Sequence, residues 1–229
     1  MTHPPYRFMV VFRTSAYQSK SKLWAVLASS AATVFLILTL GLIYGTQWRV
    51  PDTAAATWSY GLRGPALTQF MLLVSTLNSN AAINVYSGLI ISYLFYHRAW
   101  QSALWFFWIV QGGLLLNVLL KHSFSRARPS DFSPLLHLNT YSFPSGHVTG
   151  AMLFYGVLVF AYAQSAPPRH LLAALSLAIL LVVLTAASRV YLGVHYPTDV
   201  IAGWLIGLSW ALLCWMAERS LDHRAWLRR

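Results

Sequence analysis

Charge is scarce in this chain. Only 9% of its 229 residues are Asp, Glu, Lys or Arg, against about 25% in ordinary soluble domains. With 57% hydrophobic residues, that shortage argues against a soluble globular protein and leaves no length for a soluble domain beside the apolar runs. Acidic residues are scarcest, five in all, too few for the carboxylate-rich cage of a two-metal hydrolase. Cysteine occurs once, as Cys214 inside an apolar run, which excludes an intrachain disulfide and a cysteine-based metal cluster. Internal repeats and low-complexity segments are absent too. What remains is a basic surplus: 16 Lys and Arg and a formal net charge of +11. These residues flank apolar segments rather than forming a patch or basic helix. They read as membrane topology, not nucleic-acid binding.

A helix needs about 20 apolar residues to cross a bilayer. Runs of this kind lie at Leu23–Tyr44, Ala81–Tyr96, Trp100–Leu120, His147–Ala163, Leu171–Ala187 and Val200–Ala217. The first follows Arg7, Arg13, Lys20 and Lys22. It is longer than the apolar core of a cleavable signal peptide, roughly 7–15 residues, and so reads as a retained signal anchor. Ahead of the second, Ala66–Leu77 is interrupted by Thr68 and Gln69 and followed by Asn78-Ser79-Asn80. It reads as a short interfacial or re-entrant helix, with one longer kinked helix as the alternative. The expected fold is all-α, an integral membrane bundle of six transmembrane helices. One membrane-embedded domain is expected over residues 1–229, with 1–22 and 218–229 as tails. The excess of Lys and Arg on the tails and at the Arg98 and Arg169 turns marks the termini as cytoplasmic. The loops Lys121–Gly146 and Ser188–Asp199 then share the opposite, periplasmic or extracellular border, because two spans separate them.

Those two loops hold the chemistry. Lys121 follows an apolar run, where a charge is costly without a partner or water; Arg126, Arg128 and Pro129 come next. Arginine presents a planar fork suited to phosphate, and lysine a point charge. If the segment is helical, Lys121 and Arg128, seven apart, share a face. In Pro144-Ser145-Gly146-His147, a serine and glycine before an apolar run mark a helix N-terminus. Free N–H groups and the helix dipole there favour an anion, with His147 within reach. In the third segment Arg189 precedes His195, and Asp199 stands four residues beyond. Asp199 can return to one ring nitrogen of His195, fixing its tautomer and leaving the other as a nucleophile. Taken singly, each segment also has a bland reading: border basic residues, a helix cap, a structural His–Asp pair. His137 sits in the same loop and the other histidines read as solvated or interfacial.

In this order and on one face, the three motifs resemble the signature of the type 2 phosphatidic acid phosphatase superfamily, in its membrane-bound bacterial lipid phosphatase branch. The resemblance runs from Lys121 to Asp199 at motif level, and the six-span pattern matches over nearly the whole chain. It implies that His195 is the nucleophile forming a phosphohistidine, Asp199 its orienting partner and His147 the general acid. Lys121, Arg128, Ser145, Gly146 and Arg189 would form the phosphate cradle. Arg126 is not a motif position. Neither a metal nor another cofactor is implied, since Lys and Arg neutralise the phosphate.

The expected activity is therefore hydrolysis of a lipid phosphate or diphosphate in a bacterial inner membrane, with undecaprenyl diphosphate or phosphatidylglycerol phosphate as leading substrates. Transfer of the phosphoryl group to an acceptor lipid is the alternative. A vanadium-dependent haloperoxidase shares the cradle but not the membrane architecture. A transporter is disfavoured by the clustering of ionisable residues at one face. Headgroup choice is expected to lie in the loop between Asp131 and Tyr141.

Overall fold

The computed structural model describes residues 29, 30, 33, 49–130, 133–163 and 167–226, with side chains up to 218. Its helices are α1 (Arg49–Gly61), α2 (Pro65–Leu77), α3 (Asn80–Tyr96), α4 (Trp100–Phe107), α5 (Gly113–Phe124), α6 (Gly146–Ala163), α7 (Pro168–Tyr191) and α8 (Pro197–Trp226). A π-helical turn, Trp108–Gly112, joins α4 to α5 into one rod. Strands are absent among the described residues.

Four of these helices are long and apolar enough to cross a membrane: Trp100–Phe124, Gly146–Ala163, Pro168–Tyr191 and Pro197–Glu218. They coincide, within a few residues, with four of the six expected spans. The expected span Leu23–Tyr44 and the tail 1–22 lie outside the described residues, apart from 29, 30 and 33. The expected span Ala81–Tyr96 is helical as α3, but its 17 residues make a rod of only about 26 Å, and it is not one of the four. At the other end, the segment expected as a tail from 218 continues α8 as helix to Trp226.

Local sequence explains the breaks. Pro65 opens α2, where its missing N–H would have had no helical partner anyway. Ser79 caps α3 by accepting from the Ala82 N–H at 3.1 Å. Ala66–Leu77 is thus a separate short helix rather than half of a kinked one. The elbow between them is pinned to α6, because Tyr155 Oη donates to Asn78 Oδ1 at 2.7 Å. The α5 helix stops at Phe124, where Ser125 turns left-handed with φ 45°. Lys121 therefore stands on the last helical turn and Arg128 on the irregular segment beyond it, and the two do not share a helical face.

Inside a bilayer, lipid tails are as apolar as leucine, so helices are held by close packing more than by exclusion of water. Glycine makes that closeness here. Central in the bundle, α6 packs on α3, α5, α7 and α8. A methyl group on Gly203 would lie 2.8 Å from the Ser145 carbonyl oxygen, and one on Gly207 2.9 Å from the Met152 side chain. The Trp210 ring lies over Gly112 and Gly113, and its Nε1 donates to the Trp108 carbonyl at 3.1 Å. Ile83, Val110, Leu114, Leu153 and Phe154 fill the core between these helices. Leu172, Leu177, Ile179 and Leu180 lie exposed on α7, as hydrocarbon-facing residues do.

Candidate active site

At one end of the bundle α5 and α7 finish while α6 and α8 begin. That alternation brings the last turn of α5 (Lys121), the first residue of α6 (Gly146), the last turn of α7 (Arg189) and the first turn of α8 (Asp199) together. The loop segments supply Arg126, Arg128, Ser142, Ser145 and His195.

Asp199 is fully buried and has four polar partners. Ser142 Oγ donates to its Oδ2 at 2.5 Å, the Tyr196 N–H donates to the same oxygen at 2.9 Å, and Arg126 Nη1 donates to Oδ1 at 2.5 Å. His195 Nδ1 faces Oδ2 at 3.4 Å, so the expected His–Asp contact is present but is the longest of the four. Ser142 Oγ also lies 3.4 Å from Nδ1. With a carboxylate and a hydroxyl on that side, Nδ1 carries the proton and Nε2 the lone pair. Burial pulls the His195 imidazole down to about 3, with Asp199 offsetting part of the shift. The ring is neutral at physiological pH, the form that can attack phosphorus.

The cations surround that ring. Arg128 Nη1 stands 3.4 Å from His195 Nε2 and donates to the Val194 carbonyl at 2.6 Å. Its Nε and Nη2 bind the Thr140 carbonyl and hydroxyl at 2.8 and 2.9 Å. Lys121 Nζ donates to the carbonyls of Tyr141 and Ser142 at 2.7 and 3.3 Å. Both cations thus also organise the loop that delivers Ser142. Arg189 is 1% exposed and donates through Nη1 to Ser75 Oγ on α2. Its Nε and Nη2, and the Ser145 hydroxyl, are buried with no hydrogen bond inside the protein. Buried polar groups are rarely left without a partner, and a bound anion is one group that would take these donors. His147, half-buried, opens α6 beside Gly146, with the cations Arg189, Lys121 and Arg128 and the His195 ring as its titratable neighbours.

The start of α6 is held from below. Asn117 Nδ2 donates to Thr149 Oγ1 at 3.0 Å, and Thr149 Oγ1 donates to the Ser145 carbonyl at 3.0 Å. The Ser145 N–H donates to the Asp199 carbonyl at 2.9 Å. A methyl group on Gly146 would stand 3.0 Å from Asn80 Nδ2 and 3.2 Å from Asn117 Oδ1, which explains glycine there.

Every expected site residue lies in this one cluster. Sequence reading missed Ser142 and Ser75, and left Arg126 without a role. Arg126 bridges Asp199 and Asp52, and burial, which alone would lower it, is outweighed by those two carboxylates. Arg128 is instead lowered by its burial. Among the described residues no three His, Cys, Asp or Glu side chains group as metal ligands; the charged groups beside His195 Nε2 are cations.

The sequence profile of the PAP2 superfamily matches residues 102–221, an interval that contains all of these motif residues. The chain belongs to the PAP2 superfamily. It is 30% identical over 177 residues to phosphatidylglycerophosphatase B of Bacillus subtilis (strain 168), covering 76% of this chain and 87% of that one. Lipid A 1-phosphatase of Rhizobium johnstonii is 38% identical over 124 residues, 50% of this chain and 47% of the relative. A putative undecaprenyl-diphosphatase of Escherichia coli (strain K12) is 32% identical over 119 residues, 50% of this chain and 56% of the relative. The crystal structure of a transmembrane PAP2 phosphatidylglycerolphosphate phosphatase from Bacillus subtilis superimposes with a TM-score of 0.75 at 30% identity, over 86% of this chain and 96% of that one. The family read from the three motifs is thus borne out, and this PAP2 chain is a lipid phosphatase and a multi-pass membrane protein.

Proposed function

We propose that this PAP2 protein hydrolyses a lipid phosphate or diphosphate through a phosphohistidine on His195, without a metal. The observation that carries the reading is the set of unpaired buried donors, Arg189 Nε and Nη2 with Ser145 Oγ, in the cluster that holds the neutral imidazole of His195. Three phosphoryl oxygens need such donors, and donors set in advance lower the cost of redistributing charge in the transition state. Lys121, Arg128 and the N-terminus of α6 at Gly146 complete the cradle.

His195 Nε2 attacks phosphorus in line as the bond to the leaving oxygen breaks, and His147 gives that oxygen a proton. The product lipid alcohol or lipid phosphate departs. Water then attacks the phosphohistidine, losing a proton to His147, and frees inorganic phosphate and neutral His195. Asp199 holds the Nδ1 proton throughout and meets the positive charge that develops on the ring.

The names of its relatives support undecaprenyl diphosphate or phosphatidylglycerol phosphate as substrate. The charge pattern supports cytoplasmic termini and a site on the outer face of the inner membrane. The test is phosphate release from a panel of lipid phosphates by wild type and His195→Ala, in detergent with EDTA. Release that disappears in the variant is expected. Release that needs a divalent cation, or that survives in His195→Ala, overturns the mechanism. Phosphate passing to an added acceptor lipid instead of water would mark a transferase.

A further inference from the structure

Asp52 stands on α1, far in sequence from every motif, yet it is only 2% exposed. It accepts from the Thr198 N–H at 3.1 Å, from Thr198 Oγ1 at 2.6 Å and from Arg126 Nη2 at 2.8 Å. Arg126 turns its other terminal nitrogen to Asp199 Oδ1 at 2.5 Å and to Thr198 Oγ1 at 2.8 Å. Its guanidinium also lies 4.5 Å from the centre of the Tyr196 ring. One planar cation therefore spans two buried carboxylates, and one of them is the partner of His195.

We propose that Asp52 is a positioning residue for the phosphoryl-transfer step. It acts through Arg126 on the charge and orientation of Asp199, and through Thr198 on the first turn of α8. The inference rests on the role given to Asp199 above. A guanidinium facing Asp199 alone would neutralise it in a one-to-one pair. Shared with Asp52, the trio carries one net negative charge, and Asp199 keeps negative character to meet the imidazole as the ring becomes positive. With its fork divided between the two carboxylates, Arg126 holds Asp199 by Oδ1 alone, so Oδ2 stays turned towards Ser142 and His195. A role confined to docking α1 would predict lost stability, with surviving molecules turning over normally.

The groups facing Asp199 are Arg126, Ser142, the Tyr196 N–H and His195; those facing His195 are Asp199, Ser142 and Arg128. None of these is altered in Asp52→Asn, which makes it the informative variant. The experiment measures kcat, KM and inhibition by inorganic phosphate for the full chain in detergent. The substrate is whichever of phosphatidylglycerol phosphate, undecaprenyl diphosphate and phosphatidate the wild type hydrolyses fastest. Asp52→Asn is expected to lower kcat at least about tenfold, with KM and phosphate inhibition within about twofold. Arg126→Gln, which leaves two buried carboxylates without their cation, is expected to fall further. The double variant Asp52→Asn/Arg126→Gln is expected to recover part of that loss, because it removes the charges as a set. Arg126→Lys, which keeps the charge but lacks the fork, should behave like Asp52→Asn, and it decides the matter if Asp52→Asn does not fold. Wild-type kcat in Asp52→Asn or Arg126→Lys, or losses that multiply independently in the double variant, overturn the proposal. Activity persisting in His195→Ala would instead overturn the mechanism on which it rests.

Discussion

Gly203 lies so close to Ser145 that a methyl group on it would meet the Ser145 carbonyl oxygen at 2.8 Å. That oxygen is the acceptor for the Thr149 N–H and hydroxyl, both at 3.0 Å, so the approach of α8 to α6 sets the start of the phosphate cradle. Gly203→Ala must push the two helices apart or turn the 145–146 peptide. We expect a stability loss of about 1–3 kcal/mol together with reduced kcat/KM. Thermal unfolding and phosphate release on the same preparation check it. An alanine variant as stable and active as wild type would show that the helices separate freely at this point.

Among the described residues the Arg189 side chain donates to Ser75 on α2, and its two other nitrogens are unpaired. Lysine in its place could still reach Ser75 but would lack the fork. Arg189→Lys is expected to lower kcat/KM about 10–100-fold, on the order of one to two charged hydrogen bonds, and to weaken inhibition by inorganic phosphate. Steady-state kinetics with phosphate as inhibitor give both numbers. Unchanged phosphate inhibition would remove Arg189 from the cradle.

The burial of neutral His195 has a signature in stability. Its imidazole is depressed to about 3 in the folded protein, whereas an unfolded chain has it near 6.5. Between those values the unfolded state binds the extra proton. Stability from this group is therefore complete above about pH 6.5 and is lost as pH falls towards about 3, by up to about 1.4 kcal/mol per pH unit. The five acidic residues and the seven other histidines are common to wild type and His195→Asn, so the difference between the two isolates this ring. Thermal unfolding from pH 7 to pH 4 should fall more steeply for wild type than for His195→Asn. Parallel curves would show that the ring takes its proton as readily in the folded protein as in the unfolded chain, which overturns the buried neutral imidazole.

The motif residues were legible because each type announces a chemistry and because alternating spans must bring their loops to one border. The helix start at Gly146 was legible from the serine and glycine that precede an apolar run. What escaped was tertiary. Ser75 reaches Arg189 across 114 positions, and Asp52 reaches Arg126 across 74; neither pairing leaves a mark in local periodicity. Ser142 was hidden differently: it stands three residues before Ser145 in a loop whose course is set by Lys121 and Arg128 binding its carbonyls. The helical facing of Lys121 and Arg128 failed for a local reason, the left-handed turn at Ser125, which a serine does not advertise as glycine would.

The wide turn at Trp108–Gly112 acts on the site from a distance. It takes up about one residue more than an α-helical turn, within the 25-residue rod Trp100–Phe124. The part beyond it carries Asn117, which reaches Thr149, and Lys121, which reaches Tyr141 and Ser142. Were the same 25 residues wound as uniform α-helix, each of these side chains would swing about 100° round the axis and miss its partner. A rotational offset in the middle of the membrane rod thus phases the basic end of the helix to the phosphate site.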